Sequence, residues 1–196
     1  MNATPAVDIL NFWFGNPADP DSDYGQQRRI WFQKQAAFDQ QVRQQFLASY
    51  EQARQGTYQN WRQTPQGTLA LVILFDQFPR HMFRGTPQSF ATDALALSTA
   101  QSAIAQGSDR PLLPVERLFL YLPFEHSENL EHQNQSVALF EALVQQAPDL
   151  QSTLDYAYRH REVIARFGRF PHRNAILGRD STAAELAFLQ QPGSRF

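Results

Sequence analysis

Apolar residues recur at helical spacing along most of the chain. Leu69, Val72, Ile73 and Asp76 follow i, i+3, i+4, i+7, the stripe a helix turns toward a core. Runs of β-branched residues are scarce, and the one in LALVILF is flanked by leucines, which favours helix over strand. Thr4-Pro5, Thr64-Pro65 and Thr86-Pro87 each place a capping hydroxyl before a proline that a first turn tolerates, and Thr182 with Glu185 spells a capping box. The pattern predicts an all-α chain with helices over Pro5–Phe14, Gly25–Arg54, Gln66–Phe78, Asp93–Gln106, Val115–Leu122, Glu128–Gln146 and Ser152–Phe167, and a final pair near Arg173–Leu177 and Ala183–Leu189. Their short links suggest helical hairpins stacked as antiparallel neighbours, in the manner of α-solenoids. No low-complexity linker divides the chain, so residues 1–196 are expected to form one domain.

Composition narrows the setting. The 196 residues are 42% hydrophobic, enough for a sizeable core, and contain no cysteine, which removes disulfides, thiol nucleophiles and cysteine-ligated zinc. The longest apolar run, Leu69–Phe75, is too short to span a bilayer, and MNATPAVDIL lacks the basic start of a signal peptide. A soluble, cytoplasmic protein is the expectation. With 17 basic and 19 acidic side chains the formal net charge is -2, so no general field attracts nucleic acid.

Three prolines, Pro79, Pro123 and Pro171, lie 44 and 48 residues apart, each followed closely by histidine: FPRH, PFEH and FPH. The interval approximates a helix pair, so the three polar corners could meet at one edge of the stack; alternatively, proline only punctuates the helices. At the first corner, Asp76 shares the buried stripe and needs a cation, for which Arg80 or Arg84 is nearest. It reads either as an acid or base of tuned pKa or as an internal ion pair. At the second, Pro123 is expected to end or kink the preceding helix, leaving Glu125, His126 and Glu128 at a helix entrance. If a helix is wound from Glu125, then Glu125, Glu128 and His132 share a face that could relay protons or hold a divalent metal, although HExxH is absent. The macrodipole alone also favours acidic residues at such a position.

The third corner sits in a stretch with Arg159, Arg161, Arg166, Arg169, Arg173 and Arg179, opposed before Asp180 only by Glu162, in a chain with 16 arginines and a single lysine, Lys34. Arginine forks bind carboxylate or phosphate bidentately, so this is a candidate anion pocket. Phe167, Phe170 and Pro171 lie among the arginines, and Gly168 and Gly178 allow sharp turns. Pairing with Asp76, Glu125 and Glu128 would still leave six cations against three carboxylates. His160, on a stripe with Tyr156, Val163 and Phe167, reads as a core histidine, and His172 as the better general acid or base.

Together ILNFWFG (Ile9–Gly15), LFDQFPRHMFRGTPQSFATD (Leu74–Asp93), FLYLPFEHSENLEHQNQSVALF (Phe119–Phe140) and RFGRFPHRNAILGRDSTAAELAFL (Arg166–Leu189) resemble the bacterial family catalogued as domain of unknown function 924. The resemblance covers nearly the whole chain and implies a tetratricopeptide-like α-α superhelix. It carries no catalytic residue over. The residues themselves support a pocket for a small anionic metabolite, with Glu125, His126, Glu128 and His172 as acid–base groups and Asp76, Arg80, Arg84, Arg166, Arg169 and Arg173 as ligand-binding groups. Neither a metal nor a cofactor is assigned. The alternatives are a tetratricopeptide-like interaction module whose arginines clamp a peptide carboxylate, and a structural polar core. No P-loop, dinucleotide fingerprint or G-x-S-x-G elbow is present.

Overall fold

In a computed structural model, which describes residues 5–194, the elements are helical and no strand occurs among the described residues. The helices are α1 (Ala6–Phe14), α2 (Ala36–Arg54), α3 (Pro65–Val72), α4 (Phe78–Met82), α5 (Asp93–Ala105), α6 (Pro114–Glu125), α7 (Leu130–Gln146), α8 (Gln151–Phe167) and α9 (Ala183–Leu189). Around α3 the contacts run to α1, α5 and α6, while α2 packs on α4; farther along, α6 packs on α7 and α7 on α8. The central helix is buried on all sides, which is why LALVILF is apolar without interruption. Trp13, Phe14, Phe78 and Phe119 join the same core, with Trp13 meeting Phe78 and Phe119 edge-on.

Several expected boundaries hold for the expected reasons. Thr64 accepts a hydrogen bond from the Gly67 amide at 3.1 Å, and Thr182 and Glu185 form the reciprocal box that opens α9. Thr4 lies outside the described residues. Thr86 caps nothing: its hydroxyl donates to the Phe83 carbonyl, and only a short 3₁₀ turn, Pro87–Phe90, follows. The helix expected from Gly25 starts only at Ala36. Before it the chain is tied down by Arg28, which donates to the Phe12 and Trp13 carbonyls, and by the Trp31 indole, which donates to Trp13 at 2.8 Å. Seating these side chains in the aromatic core overrides the helical pattern of the segment. Near Arg173–Leu177 the chain makes a 3₁₀ turn, Pro171–Arg173, and further turns, not a helix.

Two prolines behave differently from expectation, and both bear on the site. Between α3 and α4 the helix continues through a π turn, Ile73–Gln77. Pro79 has no N–H for the Phe75 carbonyl four residues back, and the Thr92 hydroxyl takes that role at 2.6 Å. The widened turn carries Asp76. Pro123 neither ends nor precedes a helix: it lies inside α6, three residues after Leu120 and one turn from the helix end, and the His126 amide already bonds the Leu122 carbonyl. Little helix remains for the proline to disrupt. Glu125 therefore stands at a helix C-terminus, not at an entrance, and the end that reaches the site carries the negative end of the dipole.

Candidate functional site

Asp76 has no exposed surface. Its carboxylate receives the Gln77 side-chain amide, lies 2.7 Å from His126 Nδ1 and 3.4 Å from Arg80 Nη2. Burial alone would raise its pKa; Arg80 and His126 overcome this and hold it below the usual carboxylate range. Arg80 also forks onto Asp93, at 2.8 and 3.2 Å, and reaches the Ser89 carbonyl. Asp93 in turn accepts from Arg173 Nη1 at 3.4 Å. At the second corner, Glu128 accepts from the Phe170 amide at 2.7 Å and is gripped by both terminal nitrogens of Arg179. Contacts from each proline corner thus converge: Asp76 and Arg80 from the first, His126 and Glu128 from the second, Phe170 and Arg173 from the third.

Of these groups His126, Glu128 and Arg173 border an open cleft of about 420 Å³. Asp93, His126, Ser127, Glu128 and Arg173 form its polar side; Pro87, Phe90, Ala91, Ala94 and Leu97 line the other, with Pro123 and Leu177 between. Burial lowers the His126 pKa, aided by Arg80 and opposed by Asp76, so the ring is neutral at pH 7. With Nδ1–H directed at the Asp76 carboxylate, Nε2 is the basic nitrogen left for the cleft. Ser127 bonds His132 Nδ1 at 2.8 Å.

The other expected residues are distributed differently. Glu125 lies behind the cleft, buried, with Oε1 3.1 Å from His160 Nδ1 and no hydrogen bond to Oε2. Burial, reinforced by Asp76, pushes its pKa up to about 8, so it is protonated at neutral pH. His160 is indeed a core histidine, its Nδ1 also 2.9 Å from the Tyr156 carbonyl. Glu125, Glu128 and His132 do not share a helix face, because α6 stops at Glu125 and Asn129 caps α7 by accepting from the amides of Glu131 and His132. Among the described residues, no three His, Cys, Asp or Glu side chains are grouped to hold a metal ion. His172 packs on Phe170; burial and then Arg173 bring its pKa down to about 4.

The surplus of six cations is not present at the site. Arg159 bonds the Gly193 carbonyl, Arg161 bonds Asn134, and exposed Arg166 lies over the Phe167 and Phe188 rings. Arg169 forks onto Glu185 at 2.7 and 2.9 Å, tying Gly168–Phe170 to α9, and Arg84 forks onto Asp39, on the far side of α4. Only Arg173 and Arg179 of that stretch reach the cleft region, where with Arg80 they face Asp76, Asp93 and Glu128. Sequence reasoning missed Asp93 and Phe90, and placed Arg179 in the arginine stretch without giving it a ligand-binding role. Asp93 lay at the end of one quoted motif, but its position in the first turn of α5 made it look like a helix-start residue.

The fold and site define an all-helical protein with an Asp–His pair beside a cleft that Arg173 lines. The chain belongs to the family described as "Bacterial protein of unknown function (DUF924)", whose model matches residues 9–193. Its structure is similar to that of ATU0120, a protein of unknown function from Agrobacterium tumefaciens, with 39% sequence identity, a TM-score of 0.80, and coverage of 94% of this chain and 96% of that one. No curated protein matches the chain. No helix among the described residues is long and apolar enough to cross a membrane.

Proposed function

We propose that the cleft binds a small anionic metabolite, carboxylated or phosphorylated, and that His126 transfers a proton to or from it. The observation that carries this reading is the 2.7 Å contact between a fully buried, ionised Asp76 and Nδ1 of His126, which lines the cleft. A carboxylate so placed fixes the ring's tautomer and stabilises the imidazolium that forms when Nε2 takes a proton. Arg80 and Gln77 hold Asp76 in turn, so the pair is oriented before any ligand arrives. Arg173 supplies an anion-binding guanidinium beside it. The lowered pKa of His126 keeps it in the base form at neutral pH.

Pooled phosphorylated and carboxylated metabolites incubated with the protein at pH 7, with consumption followed by mass spectrometry, provide the test. Turnover is expected with the wild type and should fall at least about 100-fold in His126→Gln. A thermal-shift screen of the same pools reads binding alone. Absence of any stabilising anion, or an unimpaired His126→Gln enzyme, would reject the proposal.

A further inference from the structure

Arg173 is a buried arginine with most of its hydrogen bonds unmade. It is 6% exposed, its guanidinium stacks between Phe90 and Phe170 with its central carbon 4.7 and 4.5 Å from the ring centroids, and among the described residues its one hydrogen bond is the 3.4 Å contact with Asp93. The Nε, sealed from solvent, has none. Burial, with Arg80 nearby, lowers its pKa to about 10, which still leaves it charged. A guanidinium offers five donors in a fixed fork, and an Nε–H sealed from water without a partner is costly.

The neighbouring cations are differently placed. Arg80 is occupied by Asp76, Asp93 and the Ser89 carbonyl. Arg179 is gripped through its terminal nitrogens by both oxygens of Glu128 and by the Phe170 carbonyl, although its Nε, like that of Arg173, has no partner among the described residues. Of the three guanidiniums near the cleft, Arg173 lines it and makes the fewest hydrogen bonds, so it has the most donors to spare. Around it three arginines balance the carboxylates of Asp76, Asp93 and Glu128, since the raised pKa of Glu125 keeps that group neutral. With the set balanced, one added negative charge has only the spare donors of Arg173 to meet it, and each further charge adds to the repulsion from Asp93 and Glu128, both on the cleft. The opposite wall is apolar, built by Phe90, Ala91, Ala94 and Leu97. Phe90 belongs to both features, because the ring that stacks on Arg173 also lines the cleft.

We infer that the ligand is a small monocarboxylate with an apolar body, its carboxylate held by Arg173 and its aliphatic or aromatic part laid along Phe90, Ala91, Ala94 and Leu97. This rests on the proposed anion-binding cleft and narrows it: phosphate esters and polycarboxylates are disfavoured. Each methylene buried on the apolar wall adds affinity, by about two- to fourfold.

Calorimetric titration of the full chain at pH 7 and constant ionic strength with acetate, butyrate, hexanoate, benzoate, inorganic phosphate and citrate tests it. Affinity should climb from acetate to hexanoate, with phosphate and citrate weaker than hexanoate. Arg173→Gln should weaken hexanoate at least about tenfold. Because Arg173 is also part of the packing, Ala94→Phe is the second variant: residue 94 is exposed, so the fold tolerates the ring, which fills the apolar side and should abolish the gain from acetate to hexanoate. If citrate or phosphate binds more tightly than hexanoate, or if affinity ignores chain length, the monocarboxylate assignment is overturned while the anion cleft stands. If no anion binds at all, both fail.

Discussion

Two clusters in this molecule are built from the same three residue types, Asp, His and Arg, and only one borders the cleft. In the first, Asp39 from the opening turn of α2 lies 2.7 Å from His81 Nδ1 and receives a two-pronged fork from Arg84 at 2.7 and 2.8 Å. The His81 ring also bonds the Trp31 backbone and meets the Phe38 and Trp13 rings edge-on. Every strong group there has a protein partner. In the second, Asp76 and His126 repeat the 2.7 Å contact, but His126 faces a cleft and nearby Arg173 is underused. An Asp–His contact is therefore no functional signal in itself. What separates a structural tie from a candidate site is the hydrogen-bonding capacity left over and the open space beside it.

The comparison breaks most visibly in stability. Asp76→Asn removes a fully buried carboxylate and leaves half-buried Arg80 without its full countercharge, and should cost about 3–5 kcal/mol. Asp39→Asn, at a partly exposed fork, should cost about 1–2 kcal/mol. Urea midpoints measure both; equal losses would mean that burial does not distinguish the clusters.

Next in size is pH dependence. Glu125 has a folded pKa of about 8, above its ordinary value. Between about pH 4.5 and 8 the folded state therefore binds a proton that the unfolded state has released, and stability falls as pH rises, by at most about 1.4 kcal/mol per unit. Glu125→Gln should remove that slope, becoming more stable than the wild type at pH 8. The His172 pKa is lowered to about 4, so its own contribution to stability should rise from pH 4 to about 6.5 as the unfolded histidine loses its proton, offsetting the Glu125 slope between about pH 4.5 and 6.5; His172→Gln should uncover that slope there. Denaturant titrations at half-unit pH intervals resolve the two windows.

Smaller effects sharpen the contrast. His81→Gln and Arg84→Ala should change ligand affinity and turnover less than about twofold while costing about 1 kcal/mol of stability, whereas His126→Gln should lower the proposed turnover at least about 100-fold. A loss of ligand binding in Arg84→Ala would bring the first cluster into the function. Arg166→Ala removes only an exposed cation from above two rings and should cost about 0.5–1 kcal/mol, measurable as a small shift in the urea midpoint with ligand binding unchanged.

The legible parts of the sequence were local ones. The 3.6-residue stripes of α3, α7 and α8, the Thr64-Pro65 start and the Thr182–Glu185 box act within a few residues, so their structural meaning is contained in their spacing. The burial of Asp76 also follows from its place on a stripe with Leu69, Val72 and Ile73. Where local rules were asked to decide more, they failed. A helix-breaking proline was tolerated at position 123 because only one turn of α6 remained, and a helical pattern from Gly25 yielded to the demands of Arg28 and Trp31. The arginine-rich stretch reads as a single basic patch, yet its members go to separate partners around the end of α8.

By itself, then, the sequence determined an all-helical chain, most of its helix limits, and the residue types from which a polar site could be made. Tertiary structure decided which of them meet. That Asp76 pairs with His126 fifty residues away and not with Arg84, that Arg169 serves Glu185, and that Arg173 keeps donors unused next to Phe90 depend on where α4, α5, α6 and the Pro171 turn come to rest against one another. Ion pairs and hydrogen bonds act over a few ångströms, and the chain sets such distances only between near neighbours; between distant residues they follow from how the core packs.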